Sequence, residues 1–216
     1  LFENHVPEGI DSLIAKAKRI KATHFFAPDH LYNKERTQSA LENTIHVLDQ
    51  QKLVDKIKIA AVVQADNPKD YIRQYIDFCN NPDVDLIGLS ILSIPKSFEV
   101  ETHTNSITLN RIHLLKKLKE LEVKHTDCHM LGLGDNYSDV KFAKDNCPWV
   151  VSNDTSSCFQ NGLFGRSIKD GIVEGGKIKD KVDFDLGAIE LGKFNLIQDN
   201  INNVKFYVYS EPTINA

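Results

Sequence analysis

The chain has 216 residues, 41% of them hydrophobic, enough to bury one sizeable core and to place residues 1–216 in a single domain. A formal net charge of -4 and a pI near 6.1 give no general attraction to phosphate, so any contact with nucleic acid needs a local basic patch or a second chain. Cys79, Cys128, Cys147 and Cys158 form no C-x-x-C pair and have no histidine at metal-ligand spacing, no apolar run approaches membrane-spanning length, and no charged-then-apolar leader opens the chain; these features argue against a zinc ribbon, a membrane span and secretion, and suit a cytosolic protein with reduced thiols.

The first residue is Leu1 rather than Met, which allows for residues trimmed upstream. Leu1 to Asn4 reads as the tail of a strand ending in Glu3-Asn4, and Pro7-Glu8-Gly9 starts a new element. Ile10, Leu13, Ile14, Ala17 and Ile20 follow helical spacing, with Lys16, Lys18 and Arg19 on the opposite face. Thr23 to Ala27 is a short β-type run that stops at Pro28-Asp29-His30. Leu41 to Leu53 is a second helix, with Leu41, Ile45, Leu48 and Leu53 inward. Ile57 to Val63 is strongly β-branched and ends at Gln64-Ala65-Asp66, after which Asn67-Pro68 opens a helix through Tyr71, Tyr75 and Phe78.

Asp85 to Ser90 is the next predicted strand, and a polar connection runs from Ser93 to about Thr104. Leu109, Ile112, Leu115, Leu118 and Leu121 mark a helix whose opposite face, with Lys116, Lys117, Lys119 and Glu120, reads as solvated rather than as a ligand site. Cys128 to Gly134 is a strand closing on glycines, and Tyr137 to Lys144 is a short helix. A further strand then ends at Asp154. Strand and helix patterns alternate six times, which argues for parallel strands joined by crossover helices. After Ser157 the glycines Gly162, Gly165, Gly171, Gly175 and Gly176 punctuate short segments, including Gly171-Ile172-Val173 and Lys177-Ile178-Lys179, that predict a small antiparallel excursion. Leu191 to Val204 reads as a helix and Phe206 to Tyr209 as a final strand.

The stretch Trp149-Val150-Val151-Ser152-Asn153-Asp154-Thr155-Ser156-Ser157 passes from apolar to polar within a few residues, as a buried strand does when it delivers side chains to the rim of a sheet. Carboxyl ends of parallel strands carry catalytic groups, because the strand fixes the backbone while the following loop is free to vary. Asp154 is therefore the first candidate for a reactive carboxylate. The plainer alternative is that Asp154 or Ser156 caps the next turn. Asp29 after Pro28 is equally a fair turn residue, His129 a fair core histidine, Gly132 and Gly134 fair strand terminators, and the cysteines fair packing residues.

Taken in order, Ala61-Val62-Val63-Gln64-Ala65-Asp66-Asn67-Pro68, Ile87-Gly88-Leu89-Ser90, His129-Met130-Leu131-Gly132-Leu133-Gly134 and Ser152-Asn153-Asp154 resemble the motif series of the tRNA-guanine transglycosylase superfamily, over Thr23 to about Asp185. The resemblance implies a TIM (β/α)8-type barrel, compact or trimmed at its N-terminus. It implies an enzyme that exchanges a guanine base in a polynucleotide for a 7-deazaguanine, with no cofactor, in the cytoplasm or, for a phage-encoded protein, the host cytoplasm. Asn153-Asp154 falls where the family carries its nucleophilic aspartate. Asp29 and Gln64 match its base-recognising aspartate and glutamine, and Gly88, Leu89 and Ser90 match a glycine segment whose backbone contacts the base. Leu131 and Gly132 belong to the matching leucine-glycine motif, and the glycine-rich stretch after Asn161-Gly162 resembles the family's insertion beyond the nucleophile.

The chain also departs from the family. The four-ligand zinc motif has no counterpart after Asp185, and the acid-base element is absent as such, with Glu3 its positional substitute. Thr155-Ser156-Ser157-Cys158 replace arginines that grip tRNA. These departures resemble the DNA-modifying, often phage-encoded branch. The chemistry suits the residues: a carboxylate can hold the sugar once the first base leaves, and a second carboxyl, Glu3 or in its place Asp29, can move the proton. Expected partners are DNA or tRNA, a 7-deazaguanine base and further subunits of the same or another kind, with no membrane. Alternatives are a nucleoside or deazapurine glycosyl hydrolase on the same barrel, and a non-catalytic subunit of a transglycosylase.

Overall fold

The computed structural model describes residues 9–94, 96–98, 106–132, 136–174 and 189–210. In chain order the elements are α1 (Ile10–Arg19), β1 (His24–Phe26), α2 (Lys34–Gln50), β2 (Lys58–Val62), α3 (Pro68–Cys79), β3 (Leu86–Ser90), α4 (Ile107–Lys119), β4 (Cys128–Leu131), α5 (Ser138–Asn146), β5 (Val150–Asn153), α6 (Ser157–Leu163), β6 (Ile168–Lys169), β7 (Ile172–Val173) and α7 (Leu191–Tyr209). Strands β1 to β5 form one parallel sheet in the order β1-β2-β3-β4-β5, and β6 pairs antiparallel with β7. The class is α/β, as the alternation of patterns predicts, with a small antiparallel sheet after β5. No helix among the described residues is long and apolar enough to cross a membrane. The chain divides into two compact units, Leu1–Ser97 with Glu122–His129 and Phe98–Leu121 with Met130–Ala216.

In the first unit β2 lies between β1 and β3, with Phe25 opposite Ile59 and Ala61 opposite Ile87. Ile59 to Val63 and all of β3 are buried, the near-continuous apolar signature of parallel strands covered on both faces. Ile14 of α1, Leu41 and Leu48 of α2, and Tyr71, Tyr75 and Phe78 of α3 complete this core. Helix α3 starts as its sequence predicts: Asn67 accepts the Asp70 N–H at 2.9 Å, and Pro68 occupies the first turn, where a missing N–H costs nothing. Helix α2 begins seven residues before the predicted Leu41, because Asn33 accepts the Arg36 N–H at 2.9 Å and caps it there. The predicted polar connection after β3 is in part helical, at Ile94, Lys96 and Ser97. Ser93 bonds the Ser90 carbonyl at 3.1 Å and Ser97 the Ala65 carbonyl at 2.6 Å, so these hydroxyls tie the segment to two strand ends.

In the second unit α4 buries Leu115 and Leu118 of its predicted inward face, but that face is rotated from the one predicted. Leu109 is 52% exposed, whereas Thr108, Asn110, Arg111, Leu114, Leu115 and Leu118 are buried. The expectation that Trp149 to Val151 is a buried strand is also corrected: Trp149 and Val150 are half-buried and Val151 is 53% exposed, since β5 is the last strand in the sheet order. Helix α6 has no counterpart among the predicted elements. Its Gly162 faces Ile197 of α7 so closely that a Cβ there would lie 2.9 Å from the Ile197 backbone, so only glycine permits the approach. The hairpin β6–β7 turns on Asp170-Gly171, both with positive φ (49° and 74°), the conformation a two-residue primed turn requires.

Residues Phe206 to Tyr209, predicted as a strand from their aromatic and β-branched composition, instead continue α7. Val208 is buried, and Lys141 caps the helix by donating to the Tyr207 and Ser210 carbonyls at 3.2 and 3.0 Å, so tertiary packing overrides local preference. The predicted strand at Leu1 to Asn4, Glu3 itself, Leu133-Gly134 and Lys177 to Lys179 lie outside the described residues.

Candidate active site

Two groups of side chains stand at strand ends, one in each unit. In the first, β1 ends at Phe26 and Ala27 donates its N–H to the Ala60 carbonyl, which extends the pairing up to Pro28 and delivers Asp29 just beyond the strand. Asp29 is exposed, whereas Gln64, two residues past β2, is 1% exposed. Gln64 Nε2 donates to Asp29 Oδ2 at 2.5 Å, and its Oε1 accepts the Tyr32 backbone N–H at 3.2 Å. Its own backbone N–H donates to Gln74 Oε1 at 2.8 Å. The buried amide is thus bonded at both ends, as a polar group without water must be. It acts as a brace behind the Asp29 carboxylate.

Tyr32, with a left-handed backbone of φ 61°, donates its hydroxyl to the Leu92 carbonyl at 2.9 Å, and the Lys96 ammonium lies 4.6 Å from its ring centroid. The loop after β1 is further closed by Thr37, whose hydroxyl accepts from the His30 N–H and donates to the His30 carbonyl. Gly88 and Leu89 are interior residues of β3, and the Gly88 carbonyl accepts the Val63 N–H at 3.0 Å. Ser90 closes that strand, 8% exposed. His129 is half-buried, its ring 5.6 Å from that of Phe26.

In the second unit β5 carries Asn153 to its exposed end, and Asp154 follows, also exposed. The Asp154 backbone N–H donates to the Met130 carbonyl at 3.2 Å, and its Oδ1 accepts the Gly132 N–H at 2.9 Å. Gly132 has φ 74°, a conformation open to glycine at little cost, and this turns its N–H toward the carboxylate. Beneath the turn sits Arg111 of α4, with no exposed surface. Its Nε donates to Asp139 Oδ2 at 2.7 Å, Nη1 to the Leu131 carbonyl at 3.2 Å and Nη2 to the Gly132 carbonyl at 2.8 Å. A buried guanidinium paired with a buried carboxylate and two carbonyls fulfils what burying an ion pair demands.

Asp29 with Gln64, and Leu131 and Gly132 with Asn153 and Asp154, are therefore assembled as groups, each within its own unit. The residues that sequence reasoning misses are the supports: Tyr32, Gln74, Arg111 and Asp139. Arg111 has a legible signal, because 111, 114, 115 and 118 share one helical face and a lone arginine interrupts it.

Burial mutes three other titratable groups. Burial pushes the Cys147 thiol up to about 11 and raises Cys158, whose sulfur lies 3.2 Å from the Tyr137 hydroxyl, so both are protonated near neutral pH and poor nucleophiles. Burial likewise lowers His125, which bonds the Tyr75 hydroxyl at 2.8 Å, and so favours the neutral ring. Among the described residues, no three His, Cys, Asp or Glu side chains converge as a metal site would require. No protein-family model matches the sequence, and comparison with curated proteins finds no match.

Proposed function

We propose that the protein is a base-exchange transglycosylase that replaces guanine in a polynucleotide, DNA or tRNA, with a 7-deazaguanine. The observation that carries this reading is the exposed Asp154 carboxylate at the end of β5, oriented by the Gly132 N–H. An Asp154 oxygen bonds to the anomeric carbon as the glycosidic C–N bond breaks, and the electron pair leaves on the guanine nitrogen, which is protonated. The incoming base loses its N–H proton and attacks the same carbon, releasing the carboxylate. Two inversions retain the configuration. Glu3 is assigned the proton transfers, with Asp29 as its substitute.

Asp29 beside Gln64 supports recognition of a guanine-type ring. The exposed carboxylate accepts from N1–H and the exocyclic amine, and the buried Gln64, its Nε2 on Asp29 Oδ2, serves the recognition by holding that acceptor in place. Gly88, Leu89 and Ser90 are assigned backbone contacts to the base, and the target nucleotide leaves its stack to be read. The sequential order of β1 to β5 supports a (β/α)8-type barrel. The compartment that suits this reading is the cytoplasm.

One observation favours hydrolysis as a second reading: Asp154 is solvent-exposed, so water could take the place of the incoming base. Incubation with labelled guanine and either duplex DNA or tRNA separates the two. Exchange incorporates label and leaves the polymer intact, while hydrolysis leaves a baseless sugar. A sugar adduct on Asp154, seen by intact mass and missing from Asp154→Asn, is expected in both cases. Label incorporation undiminished in Asp154→Asn would sink the assignment.

A further inference from the structure

We infer that Arg111 is a positioning residue for Asp154, acting through the Leu131–Gly132 peptide; its kinetic consequence rests on the proposed role of Asp154. The Leu131 carbonyl and the Gly132 N–H belong to one amide plane. Arg111 Nη1 donates to the oxygen end of that plane at 3.2 Å, and its hydrogen end donates to Asp154 Oδ1 at 2.9 Å. A cation at the carbonyl draws electron density from the amide and makes its N–H a stronger donor, so the two bonds reinforce each other. The second arm, Nη2 to the Gly132 carbonyl at 2.8 Å, holds the far side of the same glycine and keeps it in its left-handed turn.

Asp139 fixes the plane of the guanidinium through Nε, and neither partner of this ion pair has exposed side-chain surface, so salt and water screen the pair little. A lysine carries the charge but not the flat fork that reaches three acceptors at once. The relay matters most when the sugar leaves Asp154. Negative charge then returns to the carboxylate oxygen, and a donor already polarised and aimed at it stabilises that charge without reorganising. A purely structural ion pair would tie α4 to α5 and do nothing to this step.

The test compares wild type with Arg111→Met/Asp139→Leu, which exchanges the ion pair for apolar side chains of similar size, and with Arg111→Lys. Each is 15N-labelled for the Gly132 amide resonance and assayed for labelled-guanine exchange. In the double variant the melting temperature and the KM for guanine are expected to stay near wild type while kcat falls about 10- to 100-fold, the usual cost of losing an outer support. The Gly132 amide proton is expected to move upfield, in the same direction as in Asp154→Ala. Arg111→Lys shows both changes in weaker form, and carries the test if the double variant does not fold. An unmoved Gly132 resonance, or a wild-type kcat in a folded variant, overturns the inference. Should the wild-type protein exchange no base, the proposed function fails, and the Gly132 resonance still decides the relay.

Discussion

A carboxylate that is to bond carbon and then let it go has to be held in place without being buried. In the role proposed for it, Asp154 is held by a backbone donor at its carboxylate and by its own N–H on the Met130 carbonyl. The role proposed for Asp29 asks instead for a fixed acceptor, and the buried Gln64 amide bonds its carboxylate. Replacing Asp29 by Asn turns one acceptor into a donor that opposes N1–H, and the KM for guanine is expected to rise about 100-fold or more with the melting temperature unchanged. Steady-state kinetics at varied guanine checks this, and an unchanged KM would remove Asp29 from base recognition.

The raised thiol of Cys147 makes a separate prediction. The native thiol holds its proton up to about pH 11, against 9.0 for the ordinary group, so between these values the unfolded chain binds fewer protons than the native one. Stability therefore is full below about pH 9 and falls as pH rises toward 11. Tyr75 and Tyr137, also raised by burial, act in the same direction. Denaturant titrations at pH 8 and pH 10.5 should show the loss, and Cys147→Val should lessen it. At this scale Asp29, Gln64 and Asp154 are legible because a polar residue ending an apolar run is conspicuous. Arg111 is missed by a helical face drawn through Leu109 and shows only on the face of residues 111, 114, 115 and 118, and Asp139 gives no such signal.

Two junctions between elements contain a close contact whose loss is measurable. Gly162 lets α6 approach the Ile197 backbone, so Gly162→Ala forces the helices apart or strains them, at a cost of about 1–3 kcal/mol in denaturant unfolding. A wild-type midpoint for that variant would mean that the contact is readily relieved. Arg111→Met alone strands the Asp139 carboxylate in the core and is expected to cost about 3–5 kcal/mol, most of it recovered by adding Asp139→Leu. The strands and α1, α3 and α4 are readable from periodicity and caps. Helix α2 reads seven residues short because the cap at Asn33 lies before its apolar positions begin. Helix α6 and the end of α7 escape the sequence pattern because glycine and aromatic content argue locally against helix, and only the packing of Gly162, Val208 and Lys141 outweighs that preference.

For the molecule as a whole, a net charge of -4 gives no general attraction to the phosphates of a polymer. Its affinity for a short oligonucleotide is expected to change little between 50 and 200 mM salt, in contrast to the loss of about 10³-fold or more seen when many phosphates are gripped. A steep salt dependence, measured by anisotropy, would point to a basic partner or patch. The alternation of strand and helix makes the α/β class legible at this scale, whereas the exposure of β5 is not, because sheet order and not composition decides it.

The chain has a single tryptophan, and it stands directly before β5, five residues ahead of Asp154. Along an extended strand that is no more than about 17 Å of backbone. Its indole is therefore a native optical reporter for this strand, with no other emitter of its kind to confuse the signal. Quenching or a wavelength shift on adding a nucleobase would register an event near Asp154 within milliseconds, before any bond to sugar is made.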